Sequence, residues 1–141
     1  MTTLYLESSA VLAWLFDEPA GKHVADLMSE ASTLAASILT EIEVERVLCH
    51  ALAAKRRTET EALKLRGMLN REKPHWDVVG LVGEVVERAR RPFPLEPVRS
   101  LDAIHLATAL DLLTAYPDLQ VLTLDVRLAD NARALGLPVL S

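Results

Sequence analysis

The chain has 141 residues, 50% of them apolar, 25% charged and only 4% aromatic, with a formal net charge of −5. That is room for one domain with a sizeable core, and it is too apolar a composition for a disordered chain. The negative sum argues against a general nucleic-acid coat while leaving room for a local basic face, and no apolar run approaches the roughly 18 residues of a membrane span.

In chain order, "TTLYLE" reads as a β-strand with an abrupt acidic end. "SSAVLAWLFDEP" reads as a helix capped by Ser8 or Ser9 and closed by Pro19. "AGKHVADLMSEA" is a short amphipathic helix with Val24, Leu27 and Met28 on one side, and "STLAAS" a short buried strand. "SILTEIEVERVLCHALAAK" is a long helix with Ile42, Val44, Val47, Leu48 and Leu52 turned inward. "RRTETEALKLRGMLNREK" follows as a more polar helix with Ala62, Leu65 and Leu69 inside, so the two form a hairpin turning near Arg56–Thr58. A short strand "HWDVVGL", a helix "VGEVVERARR" and a Pro-rich loop "PFPLEPVRS" come next. "LDAIHLATALDLLTAY" is a helix apolar nearly all round, with Asp102, His105, Thr108 and Asp111 in one polar stripe and the rest expected inside. "LQVLTLD" is a strong strand, "VRLADNARALG" a helix stopped by Gly136, and "LPVLS" a last strand. The single cysteine, Cys49, permits no internal disulfide, suits a reducing cytoplasm, and reads as a buried inert thiol. No basic leader opens the chain.

Strands alternating with helices predict an α/β domain with a mainly parallel sheet covered on both faces. Right-handed crossovers then put every strand-to-helix turn on the carboxyl edge, where ligands bind in open α/β sheets. Glu7 and Asp125 end strands there, Asp102 opens the buried helix, and Glu43 lies near the start of its own helix. Each has a plain structural role as well. Glu43 fits a capping box with Thr40, Asp125 an N-cap, Asp102 a dipole-favoured first turn, and Glu7 a turn acid. Four carboxylates on one edge would repel, and a hard divalent cation such as Mg²⁺ or Mn²⁺ removes that conflict. Without a CxxC or a His pair, zinc is disfavoured. The acids therefore point to metal-assisted phosphodiester cleavage.

The segments "LYLESSAVLAWL", "SILTEIEVERVL", "SLDAIHLATAL" and "VLTLDVRLADNARALGLPVL" resemble, in order, the signature segments of PIN-domain ribonucleases, in particular the VapC-type toxins of bacterial toxin–antitoxin pairs. The resemblance spans nearly the whole chain and implies a single domain over residues 1–141. Its implied fold is a three-layer α/β/α sandwich whose parallel sheet has strand order 3-2-1-4-5. It also implies a cytoplasmic endoribonuclease dependent on Mg²⁺ or Mn²⁺, a homodimer or higher homo-oligomer, and a cognate antitoxin covering the site. The family's acids carry over onto Glu43, Asp102 and Asp125 unchanged in type, while Glu7 stands where the family nearly always has Asp. These four would hold one or two metal ions, with the hydroxyls of Ser8 and Thr123 orienting them. Arg46, three positions after Glu43, is a candidate substrate contact or a modest helix-surface pair. Lys55–Arg57, Arg66, Arg71 and Lys73 form either a phosphate grip or an ordinary solvated hairpin.

His105 is read as a structural helix histidine and left out of the catalytic set. Two rival functions stand beside the nuclease. A PIN domain weakened by Glu7 and serving as an RNA- or protein-binding regulatory module is one; on that view Glu7→Asp would raise cleavage. A phosphoacceptor receiver domain is the other, and it is discarded: that chemistry wants an acid pair after the first strand and a Lys with a closing helix after the last, and after "PVLS" neither Lys nor helix follows.

Overall fold

A strand at the centre of a sheet covered on both sides must be apolar on both faces. β1 (Thr3–Leu6) meets that condition, with Leu4 and Leu6 buried in one layer and Tyr5 in the other. The computed structural model, which describes residues 1–141, sets β1 at the middle of a five-stranded parallel sheet. β2 (Thr33–Ser37) and β3 (Trp76–Val79) lie on one side of it, β4 (Leu119–Leu122) and β5 (Val139–Leu140) on the other. The order is therefore 3-2-1-4-5, as the resemblance implied, and the fold is α/β/α.

α1 (Ser8–Leu15), α2 (Gly21–Glu30), α3 (Ile38–Ala53) and α4 (Glu59–Glu72) cover one face, burying Val11, Val24, Leu48 and Leu69 against Leu4, Leu6 and Trp76. On the other face lie α5 (Gly83–Ala89), α6 (Ser100–Ala115) and α7 (Val126–Ala134), where Leu106, Leu112 and Leu128 pack on Tyr5 and Val121. No helix is long and apolar enough to cross a membrane.

Several local expectations change. α4 buries Ala62, Leu65 and Leu69 as its spacing predicts, but Ile42 of α3 is 52% exposed. Val44 sets the inward face, and two residues back along a helix is a rotation of about 200°. Cys49 is exposed rather than buried. α1 is capped by Glu7, not by a serine: its carboxylate accepts from the Ser9 amide. Thr40 makes no capping box with Glu43; Ser37 caps α3, and the Thr40 hydroxyl donates to the Leu6 carbonyl at 3.0 Å.

The capping box belongs to α4. Thr58 Oγ accepts from the Glu61 amide and Glu61 Oε1 accepts from the Thr58 amide, both at 3.1 Å. Thr58→Ala is expected to cost about 1 kcal/mol, a fall in melting temperature of about 4 °C, while Thr58→Ser melts like wild type. At the other end of the chain α7 is stopped by Gly136, whose φ of +84° suits a residue without Cβ.

Candidate acidic site at the carboxyl edge of the sheet

β1 and β4 are neighbours in register, so the turns that follow them lie side by side. Side-chain hydrogen bonds lock the two turns together. Thr123 Oγ donates to Glu7 Oε1 at 2.6 Å, and the Ser9 hydroxyl donates to the same oxygen. The Leu124 amide donates to Ser9 Oγ at 2.9 Å, and the Asp125 amide donates to Thr123 Oγ at 3.0 Å. Asp125 then caps α7, accepting from the Leu128 amide at 3.1 Å. Glu7 is 6% exposed, yet its carboxylate is fully supplied with donors. Its extra methylene has a use, because the longer arm spans from the turn to Thr123. Shortening the arm in Glu7→Asp strands the Thr123 and Ser9 hydroxyls and is expected to cost about 1–2 kcal/mol, read from a thermal melt.

Glu43 lies in the second turn of α3, not the first. Its carboxylate turns to His105 and Ser8: His105 Nε2 donates to Glu43 Oε1 at 2.6 Å and Ser8 Oγ donates to it at 2.5 Å. The other ring nitrogen, Nδ1, stands 2.6 Å from the Tyr5 hydroxyl. Burial first, then the charges of Glu7 and Glu43, hold the Tyr5 phenol protonated well above its ordinary range. The hydroxyl therefore donates to Nδ1, which leaves the Nε2 proton for Glu43. Three elements, β1, α6 and α3, are thus joined by one chain of buried hydrogen bonds. Desolvation pushes the Glu43 carboxyl up, but the bonds from His105 and Ser8 outweigh it and hold it below its usual value.

Asp102 sits in the first turn of α6, partly open to solvent, with the Arg99 guanidinium 4.0 Å away. Its carboxyl is pushed up, by burial first, then by the charge of Asp125, with Glu7 adding to it; Arg99 and His105 pull the other way. The charges of Asp125 and Glu7 thus reach the Asp102 carboxyl. No three His, Cys, Asp or Glu side chains form a group that could hold a metal ion as they stand. Glu7 and Glu43 are instead engaged by protein donors.

His105 has a larger place than the sequence suggests. It is 1% exposed and touches Glu43, Tyr5 and Ser8. The polar stripe of α6 carries the signal: in a helix apolar nearly all round a polar residue is buried too, and needs partners. His105 and Thr108 are the buried heart of that stripe. Ser9 joins the site without having been a candidate for it, and a second serine after a strand-ending acid is its only mark in the sequence. Ser8 and Thr123 each hand a hydroxyl proton to a carboxylate. The guanidinium of Arg46 lies 3.3 Å from His50 on the exposed side of α3. Of the basic hairpin residues, Arg57 pairs with Glu61 at 3.7 Å and Arg66 with Glu45 at 3.2 Å.

Residues 4–134 match the PIN domain family. Ribonuclease VapC46 of Mycobacterium tuberculosis is 31% identical over 142 residues, taking in 100% of this chain and 98% of that protein. Ribonuclease VapC35 of the same species is 29% identical over 140 residues, 98% of this chain and 96% of its own. Among solved structures, VapBC2 from Rickettsia felis bound to a DNA fragment from their promoter superposes with a TM-score of 0.67 at 9% identity, over 99% of this chain and 98% of that one. Mycobacterium tuberculosis VapC20, a Sarcin-Ricin loop cleaving toxin, gives 0.63 at 13% identity, over 90% of this chain and 93% of that one. At such identities these two structures show a shared fold.

Proposed function

The chain belongs to the PIN domain family, and from that premise we propose that it is a metal-dependent endoribonuclease, the toxin of a toxin–antitoxin pair. The observation that carries the reading is the Asp102 carboxyl at the carboxyl edge, pushed up by burial and by the charges of Asp125 and Glu7. Like charges gathered in one place burden a fold, and a cation that joins them lifts the burden. The donors are carboxylate oxygens, which suit Mg²⁺ or Mn²⁺. Asp102 and Asp125 are the residues best placed to hold such an ion, with Glu7 and Glu43 behind them. When bound, the ion supplies charge neutralisation at a phosphodiester and a more acidic water.

The chain's own groups do the positioning. Thr123 and Ser9 fix the Glu7 carboxylate, and Ser8 and His105 fix that of Glu43. Neither acid needs to search for its place when substrate arrives, and preorganised charge is worth more than charge that must be oriented. Purified protein incubated with RNA and Mn²⁺ or Mg²⁺ tests the proposal: chelator-sensitive cleavage is expected, and intact RNA under both ions sinks it. Glu7→Asp is expected to slow that cleavage, since the position is built around Glu. A rise in cleavage would instead favour the weakened regulatory module.

The relatives named as VapC ribonucleases and the fold shared with VapBC complexes support an antitoxin as partner. A homodimer in the cytoplasm is the expected form. Light scattering on the purified chain measures the first, and relief of growth arrest on co-expression of the antitoxin measures the pairing.

A further inference from the structure

We propose that the cleft beside Asp102 is a subsite for one unstacked nucleotide next to the scissile phosphate; the proposal rests on the ribonuclease reading. The cleft is a cavity of about 310 Å³ between the Pro-rich loop, the start of α6 and α7. It shares Asp102 with the acid cluster, so an occupant would lie within a residue's length of the reacting centre. Its size is at the lower end of ligand pockets, which run from roughly 300 to 1,000 Å³. That admits one nucleoside and excludes a duplex.

The walls divide by chemistry. Leu95, Val98, Leu106 and Leu128 offer apolar contact for the faces of a base. Arg99 and Arg127 stand at the same cleft. Arg99 reaches no closer than 4.0 Å to Asp102 with its side chain 78% exposed, and Arg127 is exposed. Three acids line the cleft with them: Glu96 is spent on loop amides, Asp130 pairs with Arg133 at 3.6 Å, and Asp102 belongs to the acid cluster. The exposed guanidiniums of Arg99 and Arg127 are then the charges of the cleft left to meet a phosphate.

The cleft is also preformed. The Asn131 side chain holds the loop at both backbone groups of Leu95: the Leu95 amide donates to Asn131 Oδ1 at 2.9 Å, and Asn131 Nδ2 donates to the Leu95 carbonyl at 3.1 Å. Glu96 braces the loop from within, accepting from the amides of Phe93 at 2.8 Å and Val98 at 2.7 Å. With these polar groups already paired, few remain to read a base edge. The subsite is therefore one of shape and charge, in which arginines grip phosphate and the apolar wall sorts bases by size and stacking.

The test uses full-length protein, a randomised single-stranded RNA for mapping cut sites, and a fluorescein-labelled single-stranded RNA for kinetics. Arg99→Ala/Arg127→Ala is expected to raise KM roughly tenfold with kcat little changed. The salt slope of RNA binding should fall by about 0.7 for each phosphate that the variant no longer grips. Leu95→Trp, which narrows the cleft at an exposed residue, is expected to alter base preference at one position flanking the cut. Lys22→Ala, on α2 across the sheet from the cleft, serves as the control and should match wild type. If wild type cleaves and both cleft variants keep its KM, salt slope and cut-site profile, the subsite is overturned. Variants that keep those properties but lose antitoxin binding would reassign the cleft to the protein partner. If wild type cleaves nothing, the ribonuclease reading fails instead, and anisotropy of the labelled RNA on wild type and double variant still decides whether the cleft binds a strand.

Discussion

Asp102→Asn is expected to lower metal-dependent RNA cleavage by at least two orders of magnitude while leaving the fold intact and slightly more stable. Asparagine keeps the shape of the side chain and loses its charge. Removing one preorganised electrostatic group from an active site costs roughly 10²–10³ in rate, and a carboxylate at the centre of an acid cluster is worth no less. Stability moves the other way. The folded protein holds the Asp102 carboxyl above its ordinary value, so folding favours its protonated form. Above that raised value the ionised group opposes folding, and the opposition is relieved as pH falls through it. Asparagine is neutral at every pH, so the variant should melt at or above wild type near neutrality. The gap should close in acid. The gain is small because the side chain is partly solvated and screened. Initial rates at saturating Mn²⁺ together with melts across pH measure both effects. A variant that cleaves within threefold of wild type would remove Asp102 from the site.

His105→Leu should produce the largest loss of stability of any single change in the site, about 3 kcal/mol. The imidazole is buried between the Tyr5 hydroxyl and the Glu43 carboxylate, each 2.6 Å away. Leucine fills much of the volume but satisfies neither. Leaving a buried hydroxyl unpaired costs about 1–3 kcal/mol, and a carboxylate that loses its donor adds to that. Together they imply a fall of about 10 °C in melting temperature for a chain of this size. A double-mutant cycle isolates the chain of bonds. Tyr5→Phe costs about 1 kcal/mol in wild type and should stabilise the His105→Leu background, because it removes a buried hydroxyl already left without its partner. His105→Gln, which keeps a donor and an acceptor, should recover part of the loss. Strictly additive changes would show that Tyr5 and His105 do not act as one unit.

The sheet is legible in the sequence because burial on both faces forces near-continuous apolar strands, and "LYL" and "QVL" carry that signature. That Glu7 and Asp125 lie side by side follows from topology, since neighbouring parallel strands deliver their turns to one edge; Asp102 opens a helix that follows α5 and the Pro-rich loop, and topology alone does not place it. Side-chain partnership is not legible. Nothing in "TEIE" says that Glu43 turns from Thr40 toward a histidine 62 positions away. The capping-box pattern fits the residues at Thr40 and those at Thr58 equally well locally; α3 starts earlier, at the Ser37 cap, which leaves Thr40 inside the helix with its hydroxyl on the Leu6 carbonyl. Ile42 and Cys49 depart from expectation for a related reason. α3 carries apolar residues around much of its circumference, and the sequence does not say which of them meet the sheet.

The Glu7–Thr123 bond joins positions 116 residues apart, and β1 pairs with β4 across the same long span of chain. A ribosome adding about 5–20 residues per second takes on the order of ten seconds to cover that span. Until then β1 has no β4 to lie against, Glu7 has no Thr123, and Asp125 does not yet exist. The acid cluster cannot assemble on a growing chain, whatever its other helices have done. The acids proposed for the site therefore cannot meet until β4 and the turn after it have been made.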